Sequence, residues 1–291
     1  MIDYDAHRWW PHLFDIRGSM VRQIGYRVLA TVVWSAAIVA IDQTYHDIDM
    51  PPTVHSLLGV ALGLLLVFRT NASYDRFWEG RRMWGGMVNE TRNLARLGHS
   101  LLSEAPGLYQ ELVQWTIAFA YASMHHLRGQ KSFGPMVERL PREALERAIA
   151  LGNAPLGASL EMTRRITQAR QQGLISDVQQ DMLDRNVQLL VDYLGACERI
   201  NKTPLPFAYV VHLRRALLLY CLSLPSALVT SFGWWTVPAN LFVSYTFYGI
   251  EEIGVQIEDP FGTDDNDLPL ERICAGIDTT LSAFLTLGPL G

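Results

Sequence analysis

The sequence predicts an all-α membrane protein with four transmembrane helices and a helical cytoplasmic region, and three observations predict it. From Ala216 to Ile250 the chain carries no charged side chain, which is enough for two passes through about 30 Å of hydrocarbon if it folds back. A second uncharged run, Met50 to Phe68, suits one full crossing. The third observation is the remainder: mean hydropathy is only +0.10 and 18% of residues are charged, so roughly half of the chain faces water. A soluble helical core does not explain the first run, because core helices rarely stay uncharged for so long.

The elements follow in order. The N-terminal MIDYDAHRWW places acids and aromatics where a signal peptide would carry a basic patch and an apolar run. The first helix is therefore expected to carry the insertion signal itself. Val28 to Ile41 is uncharged and follows Arg17, Arg22 and Arg27; with Ile24, Gly25 and Tyr26 added, and Arg27 snorkelling to the interface, it makes a span over residues 24–42. The link to the next span, residues 51–69, holds Asp42, Asp47 and Asp49 and no Lys or Arg, whereas Arg69, Arg76, Arg81 and Arg82 follow that span. By the positive-inside rule the N-terminus is cytoplasmic, the aspartate link is outside and Arg69 is back inside. The long run starts after Arg214 and Arg215 and ends at Glu251 and Glu252. Ser231 to Trp235 and Pro238 supply the breakers and interfacial aromatics of a fold-back, giving spans over 214–232 and 235–252. Both termini then lie in the cytoplasm.

Residues 70–212 and 253–291 form the cytoplasmic region and read as helix. Residues 108–128 are apolar enough for a buried helix or a partial re-entry, and Glu111 argues against a fifth span. Residues 135–200 alternate polar helical pieces with breaks at Pro141, Gly152, Pro155 and Gly173. No internal repeat or linker divides the chain, so residues 1–291 are expected to form one integrated domain.

Composition excludes several functions. A net charge of −5 and a pI near 5.9 argue against nucleic acid as a partner. Cys197, Cys221 and Cys274 are far apart without CxxC spacing, which favours buried thiols over a disulfide framework or zinc site. There is no GxSxG, P-loop, dinucleotide fingerprint or HExxH. His125 and His126 are adjacent, so on a helix they point about 100° apart and do not readily share a metal. No enzyme is expected.

Two patterns carry more. Val60, Leu64 and Phe68 recur at i, i+4 and i+8, one above another on a single helical face. That face either packs on neighbouring helices or lipid, or, with several copies around an axis, forms stacked apolar rings able to gate by dewetting. The segment Gln256 to Asp267 crowds Glu258, Asp259, Asp264, Asp265 and Asp267 around Pro260 and Gly262. Such a turn suits a hard cation taking oxygen ligands, although it departs from EF-hand spacing. As a bare pattern it reads better as a solvated acidic turn than as a cation site.

Together these pieces resemble the bestrophin family, and more closely its bacterial branch. The resemblance rests on Arg17-Gly18-Ser19, the run FRTNASYDRFWEGRRMWG from Phe68 to Gly85, GACERI from Gly195, TPLPFAYVVHLRR from Thr203 and EDPFGTDDNDLPL from Glu258. It implies a homopentameric ion channel in a bacterial inner membrane, with one central pore. It places a narrow apolar neck at Val60, Leu64 and Phe68 and a cytoplasmic aperture at Val178, in a helix beginning near Ser176. It also matches the acidic turn to the calcium clasp of the animal members. Asp264 and Asp267 would supply side-chain oxygens, and carbonyls near Gln256 and Asp259, with one from a neighbouring subunit's N-terminus, would complete the shell. Calcium is the one cofactor this suggests, and none is required.

The expected partners are further copies of the chain, membrane lipid and small inorganic ions. Monovalent cations are the expected permeant species: two of the three neck positions are aliphatic, and the outer aspartates raise local cation concentration. Animal bestrophins are anion channels, so a chloride channel with calcium-dependent gating is the alternative. A secondary transporter or membrane enzyme would be expected to show inverted repeats and mid-membrane ionisable groups; the spans show neither, apart from His55 near one end.

Overall fold

The computed structural model describes residues 7, 10, 18–45 and 50–287. In chain order its helices are α1 (Val21–Tyr45), α2 (Pro52–Leu101), α3 (Pro106–Leu127), α4 (Arg142–Ala150), α5 (Ala154–Gln171), α6 (Asp177–Lys202), α7 (Phe207–Phe232), α8 (Thr236–Glu258) and α9 (Leu270–Leu285). There is no strand among the described residues. The chain divides into two compact units. One comprises Met1–Phe77, Pro204–Pro260 and Asp264–Asp267; the other comprises Trp78–Thr203, Phe261–Thr263 and Leu268–Gly291.

Three helical stretches are long and apolar enough to cross a membrane: Val21–Tyr45, Pro52–Leu101 and Phe207–Glu258; the first, the third and the Pro52–Phe77 part of the second belong to the first unit. The third is two helices, α7 and α8, joined by a single 3-10 turn at Gly233–Trp235 and packed on one another. Gly233 caps α7 with φ of 51°, a left-handed conformation that a side chain would strain. Pro238 does not break the chain; it sits in the first turn of α8, where its missing N–H costs nothing. Helices overrun the apolar stretches because charge ends a membrane crossing and not a hydrogen-bond ladder. Thus α7 begins seven residues before Arg214, and α2 continues unbroken to a total of 50 residues, about 75 Å of helix.

Packing in this unit reverses the soluble pattern. Ile24, Val28, Leu62, Leu66, Leu213 and Leu217 form an apolar cluster, but Thr31, Ser35, Thr236, Asn240 and Ser244 are also buried. The amide of Asn240 donates to the Thr31 carbonyl at 3.2 Å, and the Trp34 indole donates to the Leu222 carbonyl at 2.8 Å. Small and polar residues between helices, with Leu29, Val33, Leu219 and Phe242 turned outward, are what a hydrocarbon surround selects. At one end of the helices Arg27 reaches Glu252 at 3.1 Å and Glu251 at 3.5 Å, and Arg214 reaches Glu251 at 2.9 Å. The starts of α1 and α7 and the end of α8 are therefore gathered on the same side.

The second unit is built conventionally around α3. Leu112, Trp115, Phe119 and Ala122 are buried, and α3 packs on α5 and α9. Residues 108–128 are thus a core helix and not a re-entrant one. Trp115 meets Phe133 edge-on, centroids 6.1 Å apart, a favoured aromatic geometry. Of the anticipated breaks, Pro141 and Gly152 flank α4 and Gly173 follows α5, whereas Pro155 lies in the first turn of α5. Buried Glu161 is held by Arg164 and, at 2.7 Å, by Arg165.

Candidate pore face and acidic turn

The apolar half of α2 has two unlike faces. His55, Leu62, Leu66, Arg69 and Ser73 are buried against the rest of the first unit. Gly59 lets α7 come close: a Cβ there would lie 2.8 Å from the Tyr220 hydroxyl. The other face carries Val60, Leu64 and Phe68, which remain 75%, 56% and 58% exposed. The chain's own helices do not cover the predicted neck. Asn71 and Asp75 continue the same exposed side beyond Phe68. His55 is turned inward, with Nε2 2.8 Å from the Ser223 hydroxyl, and takes no place on that face.

Immediately after the neck, Arg69 turns inward and is only 1% exposed. Its guanidinium pairs with the Glu258 carboxylate at 2.8 Å, while Nε and the second terminal nitrogen find no partner among the described residues. One helical stretch on, Arg76 donates to the Glu258 carbonyl at 3.1 Å, and the Leu205 amide donates to the Glu258 carboxylate at 2.9 Å. Glu258 ends α8 and precedes Asp259. The acidic turn is therefore fastened to α2 at Arg69 and Arg76. Two arginines seven residues apart just past a span mark where a junction could form, but their partner, Glu258, is distant in sequence.

Within the turn, Asp264 and Asp267 come together and Asp265 faces solvent. The Asp264 amide donates to Asp267 Oδ2 at 2.6 Å. Asp267 is 3% exposed, and its Oδ1 is buried without a partner among the described residues. Burial pushes this carboxyl up to about 6, against the pull of the Asp264 amide. Gln256 is buried and accepts from Asn266 at 2.7 Å; Asn266 also donates to the Gly18 carbonyl at 3.4 Å. Asn266 was not anticipated, yet it ties the turn to the segment ahead of α1. Asp259 is exposed just past α8. Among the described residues no three acidic, His or Cys side chains cluster as a metal site. Asp264 and Asp267 are the carboxylates the turn brings together, and Asp267 Oδ1 is its buried oxygen without a partner among the described residues.

In the second unit, Val178 is the second residue of α6 and is 70% exposed. Ser176 caps that helix: its hydroxyl accepts from the Gln179 amide at 3.3 Å, and the Gln179 side chain accepts from the Ser176 amide at 2.8 Å. This capping box fixes where Val178 projects. The Arg170 guanidinium holds the neighbouring Asp177 below the usual carboxylate range. His125 and His126 have separate partners, Gln130 and Glu198. All three cysteines are free and buried. Of the outer aspartates, Asp42 lies at the end of α1, while Asp47 and Asp49, like Arg17, lie outside the described residues.

A family profile described as bacterial/fungal bestrophin protein matches residues 1–283. The chain belongs to the bestrophin family. It is 38% identical over 285 residues to a protein of Synechocystis sp. named as a voltage-dependent anion channel-forming protein, covering 97% of this chain and 93% of that one. It is 33% identical to a protein of the same description, YneE of Escherichia coli, over 283 residues, again covering 97% of this chain and 93% of that one. Among solved structures, a bacterial bestrophin homologue from Klebsiella pneumoniae superposes with a TM-score of 0.86 at 33% identity, covering 91% of this chain and all of that one. This bestrophin is thus similar in both sequence and fold to bacterial members of its family.

Proposed function

We propose that this bestrophin is the subunit of a homopentameric ion channel, not an enzyme, whose α2 helices line one central pore. The observation that carries the reading is the exposed stack of Val60, Leu64 and Phe68 on a helix whose opposite face is fully packed. Five such faces around an axis make three apolar rings, a constriction that opens by wetting. Val178, solvent-exposed on the capped start of α6, is the cytoplasmic aperture in this reading. Four membrane crossings with both termini cytoplasmic agree with the gathering of Arg27, Arg214, Glu251 and Glu252 at one end of the helices.

Monovalent cations are favoured: two neck rings are aliphatic, Asp42 stands at the outer end of α1, and Asp75 follows the neck on the same exposed side. The second reading, anion passage, is favoured by the printed names of the relatives and by exposed Arg82 and Arg92 farther along α2. Calcium fits the acidic turn through Asp264, Asp267 and the carbonyls of Gln256 and Asp259, since Asp267 Oδ1 is buried and unpartnered. Six to eight oxygens are needed, so carbonyls must outnumber carboxylates. Through Glu258, an ion at the turn would act on Arg69 and thus on the helix that carries the neck.

Planar-bilayer recording of the purified protein in asymmetric sodium chloride tests this. A reversal potential near the sodium equilibrium value supports the cation reading, and one near the chloride value supports the anion reading. Absence of any unitary current from correctly assembled protein would refute a channel.

A further inference from the structure

The second unit holds a cavity of about 670 Å³ against the cytoplasmic half of α2, lined by Trp78, Arg81, Arg82, Asn89, Arg92 and Ile273. Trp78, Arg82, Asn89 and Arg92 recur at i, i+4, i+11 and i+14, so one helical face brings them together. The three guanidiniums are exposed to this cavity. On this stretch of helix Glu79 pairs with Arg199 at 2.8 Å and Glu90 accepts from the Asn93 amide at 3.3 Å, and neither carboxylate lines the cavity. Among the described residues no acidic side chain enters the cavity lining. Gly85 also lines it.

Three guanidiniums lining one concavity raise the local concentration of anions. Guanidinium groups bind the oxygens of phosphate bidentately, which favours tetrahedral oxyanions over spherical halides. We infer that this pocket is a binding site for a multivalent phosphate anion of the diphosphate class, with Arg81, Arg82 and Arg92 as its ligands. The source is a soluble anion rather than a lipid headgroup. Arg82 and Arg92 lie 14 and 24 residues beyond Phe68, about 21 and 36 Å along the helix, outside the apolar stretch. The inference stands apart from ion selectivity, since a bound diphosphate need not permeate.

Isothermal titration of the purified, assembled protein with pyrophosphate tests it, with sodium chloride of equal ionic strength as the control. Saturable heat with pyrophosphate and none with chloride is expected. Arg82→Gln with Arg92→Gln should weaken binding at least tenfold, while Arg142→Gln, an exposed residue at the start of α4, should leave it unchanged. The inference is overturned by wild-type protein that shows no saturable pyrophosphate binding, whatever the variants do. It is equally overturned if the double variant elutes as assembled protein and binds pyrophosphate as well as wild type.

Discussion

The two units solve the same packing problem against opposite solvents. In the second unit, apolar side chains such as Leu112, Phe119 and Leu194 are inside, and charged ones such as Arg142 and Glu146 are outside. In the first, Val33, Phe242 and Trp235 are outside, while Ser35, Asn240 and Arg69 are inside. Burial of apolar surface therefore stabilises the second unit directly. The first relies on close small-residue packing, buried hydrogen bonds and ion pairs. Helix α2 carries both regimes, with Pro52–Phe77 in one unit and Trp78–Leu101 in the other.

The contrast makes ranked predictions. Phe119→Ala removes a fully buried ring from the second unit and should cost about 3–5 kcal/mol, whereas Phe242→Ala, facing outward, should fall within about 0.5 kcal/mol. Thermal unfolding in detergent compares them, and similar losses would erase the distinction. Glu258→Gln leaves buried Arg69 without its carboxylate and should cost about 3 kcal/mol, a loss that apolar packing in the first unit does not offset. Val33→Arg should raise the free energy of membrane insertion by about 3 kcal/mol, while Val137→Arg, equally exposed but in the second unit, should change neither insertion nor stability by more than about 0.5 kcal/mol. An insertion assay and a melting curve read the pair. Val178→Ala should alter current with the smallest structural consequence, leaving assembly and melting temperature at wild-type values.

Much of the fold was legible because it follows from local rules. The charge-free run predicts the α7–α8 hairpin, and the i, i+4, i+8 recurrence predicts a shared face for Val60, Leu64 and Phe68; the helix start near Ser176 comes from the family resemblance, and its capping box with Gln179 is seen only in the structure. What was not legible depends on residues distant in sequence. Nothing local says that Arg69 meets Glu258, that Asn266 reaches Gln256 and Gly18, or that Arg81, Arg82 and Arg92 line one cavity with no acid in its lining among the described residues. Pro155 and Pro238 misled for a physical reason: a proline that breaks a helix interior is harmless in its first turn. Residues 108–128 were ambiguous because a core helix and a membrane helix have the same composition, and only the helices packed around α3 decide between them.

The central claim is that the uncovered face of α2 lines a water-filled path. Cysteine accessibility tests it most directly. The native thiols are buried, and burial pushes Cys197 and Cys274 up to about 12, so they stay protonated and unreactive toward thiolate-directed reagents. Cysteine should be placed singly at Val60, Leu64, Phe68 and, as a lipid-facing control, Val33. A charged, membrane-impermeant methanethiosulfonate reagent is then applied during recording. Modification at the three α2 positions should change the current within each open channel, while the Val33 position should not respond. Unmodified currents at Val60, Leu64 and Phe68, with a response at Val33 instead, would contradict it.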